Sequence, residues 1–131
     1  MLAIALPKTS DISGYDNVIY AKDVTFGEDG RATLSIHMKN SIVTPGFQFD
    51  IVMPEGIEIE SEEIAPGDIA YYIDLSNERT TTKKTNIFES GLQKDGSVRV
   101  LAASTKNSPF EGNDGEVCTV SLILRRESFR I

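Results

Sequence analysis

Tryptophan is absent from this chain, cysteine and histidine occur once each, and thirteen Lys and Arg face twenty Asp and Glu. Each shortage removes a class of function. The net charge of −7 has the wrong sign for a phosphate backbone, which is held by clustered cations, so nucleic acid is not expected as a partner. The short basic runs Lys83-Lys84 and Arg125-Arg126 do not change this, because adjacent residues of a strand point to opposite faces. A lone Cys118 cannot close an internal disulfide, so cysteine usage is silent on redox compartment. It falls in the apolar register of a strand and is expected to be a buried, inert small hydrophobe. No apolar run approaches the roughly 18 residues that span a bilayer, and no membrane insertion is expected.

Catalytic chemistry is as poorly supplied. His37 lies in the outward register of a strand beside Ser35 and Lys39, and is expected to be exposed and without a paired nucleophile. One His and one Cys do not make a four-ligand zinc site without two carboxylates at suitable spacing, and none is seen. Glu58, Glu60 and Glu62 alternate as a solvated strand face, where like charges discourage aggregation. No glycine-rich phosphate loop follows any strand. The chain is therefore not expected to be an enzyme, nor to need a cofactor. Calcium is the one metal option, with hard oxygens in loops at Asp16-Asn17, Glu28-Asp29 and Asn113-Asp114, although no D-x-[DN]-x-[DN]-G loop is present.

What the chain does have is period-two alternation bounded by turn residues. With 131 residues, 40% apolar and 25% charged, it has the size and composition of one globular domain. In Arg31 to Lys39, Ala32, Leu34, Ile36 and Met38 face one way and Thr33, Ser35, His37 and Lys39 the other. Gly46 to Met53 puts Phe47, Phe49, Ile51 and Met53 inside, and Glu116 to Leu124 does the same with Cys118, Val120, Leu122 and Leu124. Further strands are expected at Asn17 to Phe26, Ile57 to Glu60, Asp68 to Leu75 and Ser97 to Ser104, seven to nine in all. Turns stand at Gly27-Glu28-Asp29-Gly30, Pro54-Glu55-Gly56, Pro66-Gly67-Asp68, Lys94-Asp95-Gly96 and Asn113-Asp114-Gly115.

The best helical candidate, Ser61 to Ala65, is stopped by Pro66-Gly67 after about one turn. Ser76 to Gly91 is polar, without a clean apolar face, and reads as an exposed hairpin or long loop. These features predict an all-β, two-sheet antiparallel sandwich as a single domain over 1–131. The core would span 17–125, with an N-terminal strand or extension over 1–16. The apolar start Met1 to Leu6 contains an A-x-A-like Ala3-Ile4-Ala5, but has no basic n-region and is too short for a full signal h-region. It is expected to be a strand packed on the domain or on a neighbouring molecule.

Four segments carry a resemblance. They are Gly46-Phe47-Gln48-Phe49-Asp50-Ile51-Val52-Met53-Pro54, Pro66-Gly67-Asp68-Ile69, Asp95 to Ser104 in the pattern G-x-[IV]-[KR]-[FV]-L-x-A, and Gly115 to Leu122 closing the domain. Together they are similar to a cohesin module, from about Val18 to Leu124. The chain departs from the family at Val52-Met53-Pro54, where cohesins read Y-D-P, and is longer between Asn77 and Gly91. The resemblance implies a non-catalytic jelly-roll sandwich that binds a protein, a dockerin-like module, through one sheet face, in an extracellular or cell-surface scaffold or adhesion protein. Carried over onto the matched strands, the binding face would hold Gln48, Asp50 and Val52 with Arg99, Leu101 and Ala103. The same sandwich superfamily includes carbohydrate-binding modules, so a glycan is the alternative ligand. Sugars are normally held by flat aromatic rings, and with no Trp and only scattered Tyr15, Tyr20, Tyr71 and Tyr72 the protein reading is favoured.

Overall fold

The computed structural model describes residues 14–80 and 86–125. The N-terminal segment 1–13, the Lys83-Lys84 pair and Arg126 lie outside the described residues, so the expectations placed on them are not addressed. What is described is all-β and antiparallel throughout, with no α-helix among the described residues.

Among the described residues ten strands form three sheets. The largest runs β1 (Val18–Ala21), β2 (Arg31–Lys39), β10 (Asp114–Leu124) and β4 (Ile57–Ile59), with β7 (Ile73–Leu75) also on β10. β10 is long enough to be shared: Cys118 to Val120 pair with β7 and Leu122 to Leu124 with β4, along the edge opposite β2. The second sheet has the order β3 (Gly46–Ile51), β9 (Val98–Ser104), β8 (Asn86–Leu92). Gly46 is required where β3 meets β9, since a Cβ there would sit 2.6 Å from the Ala102 carbonyl oxygen. The third sheet is a two-stranded arm, β5 (Ser61–Ala65) and β6 (Asp68–Tyr71).

The arm grows from a three-way junction. Tyr72 N–H donates to the Glu60 carbonyl (2.8 Å), Glu60 N–H to Ser121 (2.8 Å) and Ser121 N–H to Tyr72 (3.0 Å). On one side of this triangle the two chain segments pair with β10 as β4 and β7; on the other they pair with each other as β5 and β6.

The alternation does what it predicts. Leu34, Ile36, Met38, Ile57, Ile59, Ile73, Leu75, Cys118, Val120 and Leu122 from the first sheet meet Phe47, Phe49, Ile51, Val98, Val100 and Ala102 from the second in one buried cluster. Phe47 stands between two other rings, with centroids 5.8 Å from Phe49 and 5.4 Å from Phe110. Cys118 is fully buried, and burial pushes its thiol pKa upward, as expected of an inert thiol.

Three local readings are corrected. Ser61 to Ala65 is strand β5 rather than a helical turn, because β6, joined to it through Pro66-Gly67, pairs with its backbone. The stretch Ser76 to Gly91, expected as an exposed hairpin or long loop, contains most of β8, the edge strand paired antiparallel with β9. It lacks a clean apolar face because an edge strand on a thin sheet leaves Ile87 exposed and Phe88 only half-buried. The acidic stripe is also not simply solvated: Glu58 is paired with Arg125, and Glu60 with Arg31 at 2.7 Å, while Glu62 is exposed.

Candidate functional site

The outer face of the three-stranded sheet gathers the residues expected to bind. In the β3–β9 register Gln48 stands opposite Leu101, Asp50 opposite Arg99 and Gly46 opposite Ala103. Val52 continues the same face just beyond the end of β3 and is exposed. All six are thus neighbours on one surface, because strand pairing at period two puts every second residue of β3 beside every second residue of β9. β8 extends this face with Ile87 opposite Ala103, Glu89 opposite Leu101 and Gly91 opposite Arg99. Reading the polar stretch as a loop hid this third row.

Electrostatically the face is more self-contained than its composition suggests. Arg99 donates from Nε to Asp50 Oδ1 at 2.8 Å and from its terminal nitrogen to Oδ2 at 3.1 Å, a bidentate pair. The Arg99 guanidinium holds the Asp50 carboxyl below its usual range, and Asp50 in turn raises Arg99. Leu101 and Ala103 are half-buried beside this pair, with Val52 and Ile87 exposed at its margins. The result is a shallow, mixed surface without an aromatic ring among these residues.

A second polar cluster sits on the outer face of the five-stranded sheet, around His37. The expectation of a fully exposed ring is corrected: His37 is half-buried, its ring 5.4 Å from that of Tyr20 and its Nε2 2.8 Å from Ser35 Oγ. Ser35 donates its hydroxyl proton to Glu116, whose other oxygen accepts from Ser76 Oγ at 2.6 Å. Tyr20 donates to Asp114 at 2.7 Å, and burial, then that bond, pushes its hydroxyl pKa up to about 12.

A β-bulge makes the cluster. The β2–β10 register slips between Glu116, opposite His37, and Cys118, opposite Ile36, so Val117 and Cys118 are both buried. Without the extra residue Glu116 would share the parity of Cys118, Val120 and Leu122 and point into the core. The bulge turns a carboxylate outward that would otherwise be buried among aliphatics, a cost of several kcal/mol as a rough scale. Parity counted from Cys118 gives no sign of this in the sequence.

The order of groups matters for chemistry. A Ser–His–carboxylate triad needs the ring between hydroxyl and carboxylate, accepting the hydroxyl proton. Here Ser35 lies between His37 and Glu116, and its single proton is already given to Glu116. With that proton on Glu116, His37 Nε2 acts as the donor to Ser35 rather than as the acceptor the triad requires. Nor does His37 line either of the two clefts at the sheet margins.

Three of the loop oxygens considered for calcium accept hydrogen bonds within the protein. Asn17 Oδ1 accepts from Ser41 N–H, Asp29 Oδ1 from Arg31 N–H, and Asp114 from Tyr20. Among the described residues no group of three or more His, Cys, Asp or Glu side chains is placed to hold a metal ion. Comparison with protein-family models, with curated proteins and with solved structures finds no match.

Proposed function

We propose that the chain is a non-catalytic protein-interaction module of a secreted or cell-surface scaffold or adhesion protein, built as a two-sheet sandwich of cohesin-like, jelly-roll kind. Its ligand is a protein, a dockerin-like module, taken on the outer face of β3, β9 and β8. The observation that carries this reading is the convergence of Gln48, Asp50, Val52, Arg99, Leu101 and Ala103 on one surface. A pre-formed Asp50–Arg99 pair lies among aliphatic groups there. Charges on such a surface fix register and on-rate, and the aliphatic groups around them supply affinity. The absence of rings on this face weighs against a glycan. The arrangement of Ser35 between His37 and Glu116 supports a non-catalytic role.

A charge swap tests the reading. Arg99→Glu alone puts two carboxylates opposite each other, whereas Asp50→Arg with Arg99→Glu keeps an ion pair of reversed polarity. Binding is measured by calorimetry against dockerin-like modules and against soluble polysaccharides. The expected result is that both variants stay folded and lose the protein ligand. Unchanged protein binding by the swapped variant, or heat from a polysaccharide alone, would sink the proposal.

A further inference from the structure

Between residues 40 and 78 the chain carries nine Asp and Glu and not one Lys, Arg or His. That half of the acidic charge is not evenly compensated. In the body, cations reach three of the six, Asp50 from Arg99, Glu58 from Arg125 and Glu60 from Arg31, while no ion pair among the described residues reaches Glu55, Asp74 or Glu78. Beyond the junction the compensation stops. On the β5–β6 arm every charged residue is a carboxylate, Glu62, Glu63 and Asp68, and no ion pair among the described residues reaches them. Glu63 is partly occupied, accepting from Gly67 N–H at 2.9 Å in the turn, where Gly67 has a φ of +79°.

The arm is also apolar where solvent should be. β5 is exposed along its whole length, with Ile64 at 62%, and Ile69 of β6 is exposed at 40%. A two-stranded ribbon with water on its surfaces is marginal on its own, so exposed isoleucines there contribute little to its own fold. At the base of the arm lies a cleft of about 390 Å³, lined by Ser61 and Tyr71 of the arm and by Val52, Leu92 and Asp95 of the body. Leu92 is 62% exposed, and the charged residues of the lining, Glu58 and Asp95, are again carboxylates.

We propose that the β5–β6 arm and the cleft at its base form a second docking surface, whose occupant is a protein segment with Lys or Arg flanking aliphatic side chains. The charge decides the partner class, because a nucleic acid or an anionic membrane would be repelled by Glu62, Glu63 and Asp68. The exposed isoleucines and Leu92 then ask for aliphatic groups rather than cations alone. This surface shares Val52 with the β3–β9–β8 face and reaches the end of β8 at Leu92.

The test is an amide-resonance titration of the full isotope-labelled chain with three synthetic probes: a twelve-residue peptide alternating Lys and Leu, an oligolysine of equal charge, and a Glu-Leu peptide. The Lys-Leu peptide is expected to shift residues 61–71 and 92–96, and to bind roughly tenfold or more tightly than oligolysine. The Glu-Leu peptide is expected not to bind. Glu62→Lys with Asp68→Lys should weaken the Lys-Leu peptide by roughly tenfold, and Ile64→Ser with Ile69→Ser should erase its advantage over oligolysine. Because all four arm positions are exposed, the body resonances are expected to stay in place and report an intact fold. Shifts centred elsewhere, equal affinity for oligolysine, or no saturable binding would overturn the proposal.

Discussion

Arg79 is the side chain whose removal tests the structural reasoning most directly. It lies in the polar stretch between β7 and β8 and is only 2% exposed. Its guanidinium donates to three carbonyls, those of Met38 at 2.8 Å, Gly112 at 2.7 Å and Glu111. It thereby ties the end of β2 to the loop before β10. Burial lowers its pKa, offset in part by Asp114 and Glu78, yet a guanidinium stays charged at any ordinary pH. Truncation to Ala does not orphan all three acceptors. Glu111 and Gly112 are exposed and their carbonyls can turn to water, whereas Met38 is buried. One orphaned buried carbonyl costs about 1–3 kcal/mol, and lost packing of the aliphatic stem adds about 1 kcal/mol or more. Against this stands the relief of a desolvated charge, already compensated in large part by the three carbonyls, Asp114 and Glu78, and worth about 1 kcal/mol in the opposite direction as a rough scale. The net expectation is a loss of about 1–3 kcal/mol for Arg79→Ala, and less for Arg79→Met, which refills the volume without the charge. Urea unfolding with an unchanged m-value is the assay. A loss below about 1 kcal/mol for Ala, or Met destabilising more than Ala, would refute this account of the site.

Phe49→Ala, which removes a ring stacked on Phe47 in the core, is expected to cost about 3–5 kcal/mol in the same assay. Cys118 should react with a thiol reagent only at the rate of global or local opening, and at once in denaturant; fast labelling of the native chain would contradict its burial. Stability should fall with pH in two steps. Burial, and then Lys22, lower the His37 pKa, so its contribution is complete above the unfolded value of about 6.5 and is lost as pH falls below it. Burial raises the Glu116 carboxyl, but the Ser35 and Ser76 hydroxyls and His37 outweigh it and leave the pKa lowered. Its contribution is therefore present above about 4.5 and lost below, and Glu116→Gln should flatten that second step in urea midpoints followed against pH.

Legibility followed parity. β2 could be bounded at Arg31 and Lys39 because nine residues alternate without interruption, and Phe47, Phe49, Val100 and Val120 were placed in the core by the same count. The binding-face residues follow from it as well, since whatever is not inward on β3 and β9 is outward. The failures share a cause, a partner that periodicity does not contain. β5 has good helix formers in Glu62, Glu63 and Ala65, and only its pairing with β6 makes it a strand. β8 borrows its identity from β9. The bulge at Val117 and the burial of Arg79 depend on what lies opposite, at β2 and at the loop carbonyls. The His37 cluster is hidden for the same reason, since regular parity from Cys118 would turn Glu116 inward.

The sharing of β10 has a kinetic consequence. The strand that joins β2 to both β4 and β7 is the last of the ten in sequence, so the five-stranded sheet cannot be assembled until residues separated by some eighty positions have met, as Leu34 and Val120 do. Such non-local pairing places folding on the order of milliseconds to seconds rather than microseconds. A nascent chain that has emerged only through β9 holds β2, β4 and β7 as three edges without a centre, each open to pairing with another copy. Crowded synthesis should therefore favour aggregation of chains shortened before Asp114 far more than of chains that include β10.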